Sequence, residues 1–145
     1  MTQSQLHDLD FHQWAQQQAN LLKARHFAEL DTDHLIEELE SMSASERREL
    51  TNRMAVLLAH LLKWQYQSDR RTASWQATIK VQRIDVEMVL CESPSLRPRL
   101  PEFVDRAYPK AVLLAVKETG LREEDFPAGP PFGAAEILNP DFWPE

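Results

Sequence analysis

The chain has 145 residues, a formal net charge of -7 at pH 7 and a single cysteine, Cys91. This length is typical of one domain that buries a core of its own, so we expect residues 1–145 to form a single domain. One cysteine excludes an internal disulfide and a cysteine-based zinc site. The net negative charge disfavours nucleic acid as a partner, because phosphate groups repel an acidic protein.

No targeting or membrane-spanning segment is evident in the sequence. Residues 1–7 are polar and lack the basic and apolar regions of a signal peptide. The most apolar stretch, residues 54–62, contains His60 and is too short to cross a bilayer. We therefore expect a cytoplasmic protein with no membrane partner.

The scarcity of glycine and the apolar periodicity predict an all-α protein. Only three glycines occur, and apolar residues recur at spacings of three and four, which is typical of helices. The first predicted helix begins after Asp10, whose side chain can cap free amides, and ends near Arg25. The apolar residues expected on one face of it are Phe11, Trp14, Ala15, Leu21 and Leu22.

The second predicted helix follows a cap at Asp31 or Thr32 and carries the longest apolar stripe of the chain. Two interpretations compete at Ser43, which forms a capping-box pattern with Glu46 and would then begin a new helix. The unbroken stripe instead favours one helix of about 30 residues, bent at the serines. The stripe, expected to be buried, contains Leu35, Leu39, Met42, Leu50, Met54, Leu57, Leu58, Leu61 and Trp64.

The rest of the chain predicts two further helices and an irregular end. Polar residues 67–74 predict a turn into a third helix that ends near Glu92. A fourth helix is predicted from near Pro101 to a cap at Gly120, with Pro109 kinking or splitting it. Residues 121–145 combine prolines with large apolar side chains, so we expect an irregular segment wrapped on an up-down bundle of about four main helices.

Short motifs along the chain resemble those of a known bacterial family, the domain of unknown function numbered twenty-nine. The resemblance implies an all-helical bacterial domain and implies no activity. The matching motifs are LIEELE at residues 35–40, ERREL at 46–50, HLLKW at 60–64, SW and TI at 74–75 and 78–79, SPSL at 93–96 and DFWPE at 141–145.

Polar residues beside the stripe of the second helix form the candidate catalytic group. Glu49 and Arg53 lie four residues apart and can pair, and His60 lies two turns further on. An acid, a cation and an imidazole at a core boundary would suit a small hydrolase or nuclease. The alternative is structural, and the closeness of Arg53 to the stripe predicts a buried pair with Glu49.

The turn before the third helix is the candidate anion site. Lys63, Arg70 and Arg71 bring positive charge to a helix start, where Ser74 and free backbone amides can bind a phosphate or sulfate. The alternative is that Ser74 or Thr72 is only a helix cap, and that acidic residues of the chain neutralise the arginines.

No metal site or cofactor is predicted. A carboxylate-bridged di-metal bundle needs Glu-x-x-His pairs on two helices and two further glutamates. Here His34 precedes Glu37 and Glu38 on one helix only. The third helix offers Asp85 and Glu87 without a histidine, so the number of ligands falls short.

The sequence favours a non-catalytic binding module that recognises a protein or a small anionic ligand. The first alternative is the hydrolase or nuclease built on Glu49, Arg53 and His60, so enzymatic activity is left open. The second is an antitoxin-like regulator, for which small size and acidity are the only features. A homodimer through the exposed side of the second helix is compatible with the pattern. Cys91 is expected to be a buried or half-buried, inert thiol.

Overall fold

The structure is a computed structural model that describes all residues from 1 to 145. It contains α-helices joined by short 3-10 turns and no β-strand, which confirms the predicted all-α fold. The helices are α1 (Gln3–Leu9), α2 (Phe11–Lys23), α3 (Thr32–Tyr66), α4 (Ala73–Glu92), α5 (Leu100–Thr119) and α6 (Ala134–Leu138).

Helix α1 lies outside every helix predicted from the sequence. It begins with a capping box, in which the Gln5 amide donates to the Thr2 hydroxyl at 3.1 Å and the Thr2 amide donates to the Gln5 side chain at 2.9 Å. The pattern is readable in the sequence, but no apolar stripe follows it. Asp10 then caps α2, as predicted, by accepting a hydrogen bond from the Gln13 amide at 3.0 Å.

Helix α3 is one continuous helix of 35 residues, which confirms the one-helix interpretation at Ser43. From Leu50 onward its apolar stripe is buried, apart from the half-buried Trp64, so the prediction of burial is wrong for the first half. Leu39 and Met42 are 64% and 65% exposed. Periodicity predicts which residues share a helix face, but burial requires another element packed over that face.

The chain divides into two compact units, Met1–Ser45 and Glu46–Glu145, and α3 contributes residues to both. In the first unit, Trp14 and Gln18 are the buried side chains. In the second unit, α3, α4 and α5 enclose an apolar core. Its largest fully buried side chains are Leu50, Met54, Leu57, Leu58, Leu61, Leu62, Ile79, Val86, Leu90, Phe103 and Ile137.

Helices α4 and α5 lie close to where the sequence predicts them, although α4 begins at Ala73, within the predicted turn. Thr72 caps α4 by accepting a hydrogen bond from the Trp75 amide at 3.1 Å. Helix α5 continues through Pro109 and is not split there. It ends at Gly120, whose φ of 76° is a left-handed conformation that favours glycine.

The C-terminal segment, residues 121–145, packs against the core of the second unit and contains the short helix α6. Phe126, Phe132 and Ile137 are buried. The Tyr108 hydroxyl donates to the carbonyl oxygen of Pro127 at 2.6 Å, and burial raises the pKa of Tyr108 to about 12. The phenol therefore keeps the proton of this hydrogen bond at physiological pH.

We expect Ile137→Ala to lower the free energy of unfolding by about 2–5 kcal/mol, because it leaves a cavity where a fully buried side chain packs. The control is Leu113→Ala, which truncates a side chain of α5 that is 53% exposed and should stay within about 0.5 kcal/mol of wild type. Denaturant unfolding followed by circular dichroism measures both. Equal stabilities for the two variants would show that the segment does not contribute to the core.

Candidate functional site

The predicted pair of Glu49 and Arg53 is completed by a third residue, Asp85 of α4. Arg53 Nε donates to Glu49 Oε1 at 3.1 Å, and Arg53 Nη1 donates to Asp85 Oδ2 at 3.0 Å. The side chains of Arg53, Glu49 and Asp85 are 35%, 45% and 30% exposed, so the prediction of a buried pair is wrong. The group joins α3 to α4 at the edge of the core.

His60 does not belong to this group. Its Nδ1 atom lies 3.0 Å from the carbonyl oxygen of Val56 on the same helix. Burial lowers the pKa of His60, which favours a neutral ring that donates from Nδ1. The charged groups that act on it are Lys63 and Glu118. The structure therefore does not bring His60 together with Glu49 and Arg53.

Lys63, the first residue of the predicted anion site, is bound inside the protein. It is 4% exposed and forms an ion pair with Glu118 of α5. Its Nζ atom also lies 4.5 Å from the centre of the Trp75 ring, which is a cation–π distance. The hydrogen bond from Lys63 lowers the pKa of Glu118.

Arg71 of the predicted anion site is also engaged within the protein. Arg71 Nε donates to the carbonyl oxygen of Trp64 at 2.7 Å, and Arg71 Nη2 donates to that of Pro144 at 3.3 Å. Arg70 is exposed in a 3-10 turn, and Ser74 is exposed in the first turn of α4. Of the three predicted cations, Arg70 is exposed, Arg71 is half-buried and Lys63 is buried.

A further arginine, Arg83 of α4, holds the C-terminal segment and is 4% exposed. Its Nε, Nη1 and Nη2 atoms donate to the carbonyl oxygens of Ile137, Pro140 and Phe142 at 2.8, 3.4 and 2.6 Å. Burial lowers the pKa of Arg83, although arginine remains protonated in proteins. No sequence pattern predicts this role, because the partners are backbone atoms of a distant segment.

An apolar groove of about 610 Å³ lies between α4 and the C-terminal segment. Ile84, Met88 and Cys91 line it from α4, and Leu138 and Pro140 line it from the segment. Ile84 and Met88 are 61% and 57% exposed, which is unusual for two large apolar side chains on the same helix face.

The exposed apolar residues of α4 recur at spacings of three and four. They are Val81, Ile84, Met88 and Cys91, while Val86 and other residues of the opposite face are buried. The prediction of a buried or half-buried thiol at Cys91 is therefore wrong. Helix α4 is therefore apolar on two faces, of which the core covers one. The spacing is that of the seam between two packed helices.

In the first unit, the imidazoles of His7 and His34 are stacked, with ring centres 3.9 Å apart and 13° between the planes. His34 Nδ1 lies 2.8 Å from Asp31 Oδ2, and His7 Nε2 lies 2.7 Å from Glu38 Oε1. The hydrogen bond to Glu38 raises the pKa of His7, because the carboxylate stabilises the imidazolium. His7 lies before the first predicted helix, so its position beside His34 was not predictable from the helix pattern.

These features define an all-α protein in which an irregular C-terminal segment completes a core of three long helices and borders an apolar groove. The family described as Domain of unknown function DUF29 matches residues 6–143, so the chain belongs to this family and the resemblance is confirmed. No curated protein and no solved structure matches the chain. None of the helices combines the length and the apolar character that crossing a membrane requires.

We expect Arg53→Ala to lower the free energy of unfolding by about 1 kcal/mol, because ion pairs of partly exposed side chains contribute little. A buried pair would instead cost about 3–5 kcal/mol. A double-mutant cycle with Asp85→Ala measures the coupling across α3 and α4. A cost near the larger value would mean that solvent does not reach this group.

We expect Glu118→Gln to destabilise the protein at neutral pH and to have less effect in acid. Lys63 lowers the pKa of Glu118 below its ordinary value of 4.5. A carboxyl group with a lower pKa in the folded state stabilises the fold above its unfolded pKa, and this contribution is lost as pH falls through the folded pKa. The stabilities of wild type and variant should therefore converge as the pH falls below about 4.5 and through the lowered pKa of Glu118.

Urea unfolding at a series of pH values measures this convergence. Asp105→Asn is the control, since Asp105 is exposed on the same helix as Glu118 and should change stability little at any pH. A stability difference for Glu118→Gln that is the same at every pH would contradict the ion pair.

Proposed function

We propose that this domain is a non-catalytic interaction module that binds an amphipathic helix of a partner protein in the groove between α4 and the C-terminal segment. The observation that carries the proposal is the exposure of Ile84 and Met88 at the spacing of a helix seam. Contiguous exposed apolar side chains mark contact sites for other proteins. A helix fits this surface because its own side chains at three-four spacing interdigitate with such a row.

The charges around the groove favour a basic partner. Glu87 and Glu92 line the groove toward the end of α4, and Lys80 lines it toward the start. Arg83 also lines it, but this side chain is 4% exposed and donates to backbone carbonyls. Arg97 pairs with Glu87 at 2.8 Å, whereas Glu92 is exposed. Glu92 and the net charge of -7 therefore favour a helix that carries lysine or arginine beside its apolar row.

A second copy of this chain is a poorer occupant of the groove. In a parallel pair of α4 helices, the seam spacing would place Glu87 of one copy opposite Glu92 of the other. In an antiparallel pair, Ile84 of each copy would pack against Met88 of the other. The two Glu87 side chains would then face each other. Both arrangements bring like charges together, which disfavours self-association.

Other features favour binding over catalysis. Arg53 is engaged with two carboxylates, and His60 is hydrogen-bonded to its own helix, so neither is directed toward a shared substrate position.

We also propose a bacterial cytoplasmic location, because an exposed thiol such as that of Cys91 is compatible with a reducing compartment.

Fluorescence polarisation with a dye-labelled helical peptide tests the proposal. The peptide carries leucines at three-four spacing and lysines on both flanks, and we expect it to bind with a roughly micromolar Kd. Ile84→Glu and Met88→Glu should each weaken binding at least about tenfold, because each places a charge in an apolar groove. Leu113→Glu is the matched control on the exposed face of α5 and should bind as wild type does.

The single cysteine provides a second test of the same groove. Alkylation of Cys91 with N-ethylmaleimide adds bulk to the groove and should weaken peptide binding. Cys91→Ser should bind equally well with and without the reagent. Equal affinity for a peptide with scrambled leucines would overturn the proposal. A concentration-dependent dimer in analytical ultracentrifugation, abolished by Ile84→Glu, would overturn it in favour of a second copy.

A further inference from the structure

The histidine cluster of the first unit brings metal-binding side chains together from α1 and α3. One ligand atom each of His7, Asp8 and His34 lies within 4.8 Å of the other two. Two imidazoles and one carboxylate form a ligand set that binds divalent transition metals and leaves coordination positions open to water. The ligand set joins α1 to α3. The di-metal pattern that the sequence was compared with would instead combine His34 with Glu37 and Glu38 of the same helix.

The ring of His34 is held in one orientation by its neighbours. Its Nδ1 atom lies 2.8 Å from Asp31 Oδ2, and the same oxygen accepts a hydrogen bond from Trp14 Nε1 at 3.0 Å. The Asp31 amide donates to Gln18 Oε1 at 2.8 Å, and Trp14 and Gln18 are both buried. Because a carboxylate takes the hydrogen bond from Nδ1, the lone pair of the neutral ring lies on Nε2.

The ring of His7 is held in a similar way with the two nitrogens exchanged. Its Nε2 atom lies 2.7 Å from Glu38 Oε1, which leaves the lone pair of the neutral ring on Nδ1. That Nδ1 atom lies 3.2 Å from Asp8 Oδ1. Both imidazoles thus have an outer carboxylate that selects the tautomer, which is the usual arrangement around metal-bound histidines.

We propose that His7 Nδ1, His34 Nε2 and the Asp8 carboxylate bind a divalent transition metal, of which Zn²⁺ is the best match. Imidazole is a good ligand for Zn²⁺, and a three-residue set leaves its fourth position for water. Ca²⁺ and Mg²⁺ match poorly, since they require mainly oxygen ligands. Asp31 and Glu38 act as positioning residues that orient the rings.

Binding requires a modest local adjustment. Metal–ligand bonds of about 2.0–2.2 Å place neighbouring ligand atoms about 3.3 Å apart. His7 Nδ1 and Asp8 Oδ1 already lie 3.2 Å apart, so it is the His34 nitrogen that must approach the other two atoms. The rings must also tilt away from their parallel stacking, because the in-plane lone pairs of parallel rings do not converge. The Asp8 side chain is 75% exposed and can follow, and α1 is a helix of only seven residues.

Isothermal titration calorimetry of the full, tag-free chain with ZnCl₂ tests the site at slightly alkaline pH. We expect one ion per chain with micromolar or tighter affinity. Asp8→Asn and His34→Ala should each weaken binding at least about tenfold. Asp8 is exposed, so Asp8→Asn keeps the test valid if His34→Ala fails to fold.

Co²⁺ titration provides a spectroscopic measure of the same site. Tetrahedral Co²⁺ absorbs strongly in the visible region, and Asp31→Asn should change this absorption because it releases the ring of His34. His12→Ala and His26→Ala are the matched controls, since both remove exposed histidines outside the cluster and should leave affinity and spectrum unchanged. Equal loss of Zn²⁺ binding in a control variant, or wild-type binding weaker than millimolar, would overturn the proposal.

Discussion

The second unit depends on the hydrogen bonds that Arg83 donates from α4 to the C-terminal segment. An irregular segment packed on a core presents carbonyl groups that no helix or sheet ladder satisfies. Arg83 satisfies those of Ile137, Pro140 and Phe142, and its guanidinium lies 5.3 Å from the centre of the Trp143 ring. The five donors of a guanidinium suit this task, because backbone carbonyls offer no counter-charge but several acceptors. Fixing these carbonyls positions Ile137 in the core.

The same segment creates the surface on which the proposed function rests. Helix α4 has apolar residues on two faces, and the core covers only the inner one. Because the segment is fixed beside the helix, Leu138 and Pro140 form a second wall opposite Ile84 and Met88. An exposed apolar row thereby becomes a groove, which can enclose a partner side chain on two sides. Stability of the segment and binding at the groove therefore depend on the same contacts.

Most of the positive charge near the start of α4 is used within the protein. Lys63 pairs with Glu118, and Arg71 donates to two backbone carbonyls, so neither is directed at an external anion. In the first unit, carboxylates are used differently, since Asp31 and Glu38 each orient an imidazole. The charged groups near the start of α4 therefore act inside the protein. The groove and the histidine cluster are the surfaces on which the two proposals rest.

The sequence by itself determined the all-α class, the end of α4 at Glu92 and the end of α5 at Gly120, and it favoured a continuous α3. These features depend on local periodicity, caps and backbone conformation, which neighbouring residues encode. It also placed Glu49 beside Arg53, because a four-residue spacing brings side chains together on any helix.

Only the tertiary structure decided which polar groups meet across the chain. Asp85 joins Arg53 and Glu118 joins Lys63 because separate helices pack together, and nothing in the local pattern of either helix selects these partners. Packing also decides which helix faces stay exposed. No element covers the stripe of α3 at Leu39, and the C-terminal segment borders the outer face of α4 to form a groove. Helix periodicity specifies the faces of a helix, whereas burial and long-range pairing depend on which other elements cover those faces.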